Sequence, residues 1–181
     1  MKDMLLHTCC GPCASAVFPY WTQKGFRIGG LFFNPNIHPF QEWRCRAEGA
    51  VQVAEKCGVE LLIDGTYDPA AWFAQVRETD ERRCLVCIRE RLRQTAQQAA
   101  KEGYSCFSTT LAVSPYQDHP AIRQAGQQAA ELSGVEFVYR DLKDLYNESR
   151  RRSREWGIYR QKYCGCLISE WERFRESRTD R

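Results

Sequence analysis

Met4-Leu5-Leu6-His7-Thr8-Cys9-Cys10-Gly11-Pro12-Cys13 is the stretch whose reading decides the fold. Met4 to Thr8 is a short apolar run of strand length, closed by Cys9-Cys10-Gly11. Pro12 suits the first turn of a helix, where its missing N–H costs nothing, and the helix is predicted to run through Phe18. A strand that turns straight into a helix is the opening unit of a parallel α/β sheet. It also leaves cysteines at the carboxyl end of the first strand, which is where open α/β sheets bind their ligands.

The alternation continues along the chain. Further strands are predicted over Ile28–Phe33, Val59–Ile63, Ser105–Leu111 and Val135–Tyr139. Helices are predicted over Phe40–Cys57 with Gly58 as its stop, Pro69–Arg77, about Leu85–Glu102 with Gly103 as its stop, and about Pro120–Leu132 before Ser133-Gly134. Asn34-Pro35-Asn36-Ile37-His38-Pro39 is turn sequence, and the polar remainder reads as helical, interrupted at Gly157 and Cys164-Gly165-Cys166. The expectation is a single metal-binding α/β domain over residues 1–181, with a mostly parallel sheet flanked by helices. Ser114 to His119 follows the fourth strand and is expected to share one cleft with Cys9 and Cys10, near the point where strand order reverses.

Ten cysteines in 181 residues would mean a disulfide framework in a secreted chain. The first ten residues carry one lysine and an apolar stretch too short for a signal sequence, and no apolar run reaches transmembrane length. The expectation is therefore a cytoplasmic protein with reduced thiols and no membrane partner. Seven of the thiols fall in three groups: Cys9, Cys10 and Cys13; Cys84 and Cys87; Cys164 and Cys166. Cys84-Leu85-Val86-Cys87 at a helix start puts two sulfurs on one side of a turn, where the helix dipole favours thiolate. Cys164 and Cys166 point the same way if the backbone turns at Gly165. Cys9 and Cys10 are neighbours, whose side chains diverge on extended backbone and can serve two centres.

Several thiolates gathered without a cation repel one another, and a metal resolves the conflict. Structural zinc takes four ligands, so the surplus of sulfur favours an iron-sulfur cluster plus a second metal or a redox pair. Cys45, Cys57 and Cys106 stand alone and read as packing residues. His7 reads as a core or supporting histidine, and His38 and His119 as surface or substrate-contacting residues. Thr109, Thr110, Ser114 and Tyr116 can simply end a strand, and Trp43, Trp72 and Trp171 read as packing aromatics.

The formal net charge is only +3, but its distribution is uneven. Arg150, Arg151, Arg152, Arg154, Arg160 and Lys162 stand against Glu155 alone, with Trp156, Tyr159 and Tyr163 interleaved or adjacent. A second basic group, Arg82, Arg83, Arg89, Arg91 and Arg93, surrounds the middle cysteine pair. Taken alone, such runs are more often solvated helix faces than nucleic-acid sites.

Five segments in order carry a resemblance: residues 5–13, Phe33-Asn34-Pro35-Asn36-Ile37-His38-Pro39, Arg83 to Leu92, Ser108 to Tyr116, and Tyr159 to Cys166. Together they resemble the cobalamin-independent epoxyqueuosine reductases. The resemblance implies an adenine nucleotide alpha hydrolase-like fold and a cytosolic tRNA-modifying oxidoreductase that removes the epoxide oxygen of epoxyqueuosine at the wobble position, in the last step of queuosine synthesis. It implies a [4Fe-4S] cluster and an additional metal ion, iron, with Cys9, Cys10, Cys84, Cys87, Cys164 and Cys166 as cluster-binding residues and Cys13 added to the metal-binding set. Tyr116, His119 or a metal-bound water would supply protons. Arg150, Arg151, Arg152, Arg154, Arg160 and Tyr159 would contact the tRNA, and an unidentified electron donor is required.

Two other readings use the same residues. A zinc-stabilised RNA-binding module would be colourless and redox-inactive, and a thiol-disulfide or heterodisulfide-type reductase would turn over small disulfides without RNA. An ATP-dependent tRNA thiolation enzyme is disfavoured, because cysteines replace the Gly-rich, Ser-containing pyrophosphate loop expected after the first strand.

Overall fold

Burial in the first strand shows how the sheet is covered. Met4 and Leu6 pack into one apolar cluster with Ala14, Val17, Phe18 and Trp21, while Leu5 packs into another with Ile88, Leu92 and Ala96. Successive side chains of a strand point to opposite faces, so this strand is buried on both. The computed structural model describes residues 2–77 and 82–175.

The strands are β1 (Lys2–His7), β2 (Phe26–Phe32), β3 (Glu60–Ile63), β4 (Cys106–Thr109) and β5 (Glu136–Phe137). They form one parallel sheet in the order β3-β2-β1-β4-β5. The order reverses between β1 and β4, so the carboxyl ends of these two strands open the crevice where such sheets bind ligands. The helices are α1 (Gly11–Gln23), α2 (Phe40–Cys57), α3 (Pro69–Arg77), α4 (Arg83–Lys101), α5 (His119–Ser133), α6 (Tyr146–Glu155) and α7 (Leu167–Phe174). α1 packs on α2 and α6, and α4 packs on α5. The two groups cover opposite faces of the sheet, as the two apolar clusters require.

Most boundaries fall within two residues of the sequence reading, and three elements differ in instructive ways. α1 continues past Phe18 to Gln23 although Pro19 lies inside it. Pro19 has no N–H to give the Ser15 carbonyl, and the Arg152 guanidinium donates to that carbonyl instead, at 3.0 Å. The fourth strand stops at Thr109 and not Leu111, because the Thr109 hydroxyl accepts from the Leu111 N–H and starts a 3-10 turn over Thr110–Val113. The fifth strand is only Glu136–Phe137, at the sheet edge. Among the described residues no helix is long and apolar enough to cross a membrane.

Candidate functional site

β1 and α1 place the first thiol group. Cys10 is the extended residue before α1 (φ −174°, ψ 166°), and Cys13 lies in the first turn of the helix, where it folds back towards Cys10. The sulfurs of Cys9 and Cys10 are 3.7 Å apart, and those of Cys9, Cys10 and Cys13 all lie within 4.8 Å of one another. This corrects the expectation that the side chains of the two adjacent cysteines diverge. Among the described residues no other three Cys, His, Asp or Glu side chains bring ligand atoms this close.

The group is electrostatically frustrated without a cation. Hydrogen bonds from Cys13 and Cys9, with the charge of Arg46 behind them, hold Cys10 well below the usual thiol range. Donation to Cys10 raises Cys9 and Cys13 in turn. Cys10 is thus the sulfur most readily ionised, and ionising all three side by side needs a bound cation. Two neutral side chains support the sulfurs. The Thr110 hydroxyl donates to Cys9 Sγ at 3.3 Å, and Gln161 Nε2 donates to Cys10 Sγ at 3.1 Å.

The other two thiol pairs reach the same cleft. This cleft, of about 990 Å³, is lined by Cys9 and Cys13 from the end of β1 and start of α1, Cys84 from the start of α4, and Cys164 before α7. Cys87 and Cys166 lie behind them, buried with Trp72, whose indole N–H donates to Cys87 Sγ at 3.3 Å. Burial pushes Cys87 up to about 11 and also raises Cys84. All ten cysteines are free thiols. Of the three that read as packing residues, Cys106 is fully buried, while Cys45 and Cys57 are half-buried.

Arg46 fixes the third pair. It is 3 % exposed and donates to Glu42 Oε1 (2.7 Å), the Cys164 carbonyl (2.7 Å) and the Tyr163 carbonyl (3.0 Å). Tyr159 OH donates to the other Glu42 oxygen, and Tyr163 OH donates to the His38 carbonyl at 2.6 Å. Gly165 has a φ of +149°, and a Cβ there would lie 3.1 Å from Ile37 and 3.3 Å from Arg46. Arg46 and Gln161 were missed by sequence reasoning; Gln161 lies inside a quoted motif, whereas nothing in the pattern of α2 distinguishes Arg46.

The histidines divide. His7 is fully buried, and burial together with Arg91 pushes it down to about 3, so its ring is neutral. Its Nε2–H donates to the Phe33 carbonyl and its Nδ1 accepts from Thr109, which ties β1 to both neighbouring strands. His38 packs in a ring of Tyr67, Trp72 and Phe73. His119 does not line the thiol cleft: its Nε2 donates to the Ser114 carbonyl at 2.9 Å and its Nδ1 meets Tyr139 OH at 2.8 Å, beside a separate shallow depression. Tyr116 does line the cleft, but at 82 % exposure its phenol stands in water at the mouth.

The basic residues also divide. Arg150, Arg160 and Lys162 line the cleft, as do Arg82, Arg83 and Arg91 of the second basic group. Arg151 is paired with Glu148 and Glu155, and Arg152 with Glu148. Tyr159 is held by Glu42, and Arg154 is exposed on α6. Trp43 and Trp72 are buried, but Trp171 is 59 % exposed.

The family model for "Epoxyqueuosine reductase QueH" matches residues 4–172. The chain is similar to the epoxyqueuosine reductase of Dehalococcoides mccartyi, 40 % identical over 171 residues covering 94 % of each chain. It is also similar to that of Thermotoga maritima, 35 % identical over 182 residues covering 96 % of this chain and 93 % of the relative. Among solved structures it is similar to a predicted subunit of a tRNA methyltransferase from Methanocaldococcus jannaschii, with a TM-score of 0.52 at 14 % identity, covering 86 % of this chain and 88 % of that one. The last likeness concerns the fold alone.

Proposed function

Because the chain belongs to the epoxyqueuosine reductase family of tRNA-modifying oxidoreductases, we propose that it reduces epoxyqueuosine at the wobble position of tRNA, in the cytoplasm. The observation that carries this reading is the convergence of thiols from the N-terminal, middle and C-terminal parts of the chain on one basic cleft at the sheet's switch point. Deoxygenating the epoxide breaks two C–O bonds and forms a C=C bond; two electrons and two protons enter, and the oxygen leaves as water.

The donor set fits a thiophilic metal group: three sulfurs within 4.8 Å, ionised together only beside a cation, with Cys84 and Cys164 lining the same cleft and Cys87 and Cys166 buried beside Trp72. Cys9, Cys10, Cys13, Cys84, Cys87, Cys164 and Cys166 would hold a [4Fe-4S] cluster and an additional iron. When bound, these supply electrons from an external donor and a Lewis-acidic site for the epoxide oxygen. The chain's own residues do the rest. Thr110 and Gln161 donate hydrogen bonds to the sulfurs of Cys9 and Cys10, which orients them and moderates their charge. Arg46 and Glu42 hold Cys164 in place. Arg150, Arg160 and Lys162 offer charge to the phosphates of the anticodon loop as the wobble nucleotide enters.

The test is metal analysis and an absorption spectrum on anaerobically purified protein, followed by turnover of epoxyqueuosine-containing tRNA. A brown, iron-loaded protein that forms queuosine in tRNA is expected, and Cys84→Ala should lose both colour and turnover. Colourless zinc protein without turnover would favour the RNA-binding module. Reduction of small disulfides without RNA would favour the thiol-disulfide reductase.

A further inference from the structure

A nucleotide can reach thiols at the bottom of a cleft only by leaving the stack of its own loop, at a cost of a few kcal/mol. The bases on either side then need a replacement surface. Tyr116 stands where such a surface is required. It lines the mouth of the thiol cleft, and at 82 % exposure it is the most exposed of the large aromatic side chains among the described residues.

The ring is presented by an ordered loop. Its own N–H donates to Ser114 Oγ at 3.3 Å, the Ser114 carbonyl accepts from His119 at 2.9 Å, and Asp118 caps α5 through the Ala121 N–H at 3.0 Å. Tyr146 meets it edge-on, with ring centroids 5.9 Å apart at 79°, and the Arg150 guanidinium lies 5.8 Å from the Tyr146 centroid. An open aromatic face backed by a second ring and a cation is the surface on which single-stranded bases stack, whatever their sequence.

We propose that Tyr116 is the stacking platform of the cleft: its ring takes a base of the anticodon loop next to the extruded wobble nucleotide, with Tyr146 and Arg150 bracing it. This rests on the tRNA substrate proposed above. The probe is an anticodon stem-loop RNA with 2-aminopurine beside the wobble position, titrated into the anaerobically purified full chain. Wild type should quench the fluorophore. Tyr116→Ala should abolish the quench and weaken binding by roughly ten- to a hundredfold, the range expected for one lost base stack. Tyr116→Phe should restore both, since it keeps the ring and lacks only the hydroxyl. Quench and affinity unchanged in Tyr116→Ala would overturn the platform, as would failure of Tyr116→Phe to restore them, which would assign the effect to the hydroxyl. Wild type that binds no stem-loop at all would overturn the tRNA reading itself, which separates the two failures. Circular dichroism of each variant checks that the exposed substitution leaves the fold intact.

Discussion

At the scale of single residues, Arg46 and Gly165 decide whether the third thiol pair can reach the cleft. Arg46 is a buried cation whose donors are divided between Glu42 and two backbone carbonyls of the segment that ends in Cys164. Replacing it with Met leaves Glu42 buried without its counter-charge and frees those carbonyls, and removing one partner of a buried pair costs on the order of 3–5 kcal/mol. Arg46→Met is therefore expected to lower the unfolding midpoint steeply and reduce metal content together, measured by thermal melts and iron analysis on the same preparation. A variant as stable as wild type would remove Arg46 from this role. Gly165→Ala acts more locally. Its φ of +149° is one that side chains rarely adopt, and the added Cβ would press on Ile37, Asn36 and Arg46. Reduced metal loading with a much smaller loss of stability is expected. Of these two positions the sequence exposes one: a glycine between cysteines announces a turn, whereas Arg46 lies in a helix two residues after Arg44, and the two carbonyls it holds are more than a hundred residues away.

At the scale of elements, α1 carries the thiol group and depends on close backbone contact. A Cβ on Gly11 would lie 2.4 Å from the Gly49 carbonyl oxygen of α2 and 2.6 Å from Ile158. Both neighbours are packed, so Gly11→Ala must push the start of α1 away, and overpacking of this kind costs roughly 1–3 kcal/mol. A lower urea midpoint with an unchanged slope is expected; an unchanged midpoint would mean that α1 shifts freely, which its packing on α2 and α6 argues against. The same helix shows what local pattern can and cannot convey. α2 is legible to the residue, Phe40–Cys57, because Gly58 ends it in the left-handed region at φ 65°. The full length of α1 is not, because the partner that compensates Pro19 is Arg152, far along the chain. β4 fails for a related reason: Thr109-Thr110-Leu111 has the composition of a strand, but both threonine hydroxyls are taken, one by the Leu111 N–H and one by the Cys9 N–H. That the carboxyl ends of β1 and β4 share a cleft was readable from the alternation of elements, whereas the strand order that makes it the switch point was not.

At the scale of the whole molecule, a net charge of +3 gives little long-range attraction for RNA, so binding must draw on where the cations sit. α6 separates them. Arg150 faces the thiol cleft, while Arg151 on the next position is bonded to Glu148 and Glu155, which hold its charge in a local network. Glu148 reports the same pairing: hydrogen bonds from Arg151 and Arg152 pull its carboxyl down to about 2. Arg160 belongs with Arg150 at the cleft. Each arginine that neutralises a phosphate releases counterions, so its removal should flatten the slope of log affinity against log salt by about one. Arg150→Ala and Arg160→Ala are expected to do so on a tRNA anticodon stem-loop, and Arg151→Ala to leave the slope near that of wild type, measured by titration at several salt concentrations. Equal flattening by Arg151→Ala would mean that RNA breaks the Glu148–Arg151–Glu155 network and runs along the outer face of α6. In that case the cleft would still hold the thiols, but the route by which the wobble nucleotide reaches them would have to be redrawn.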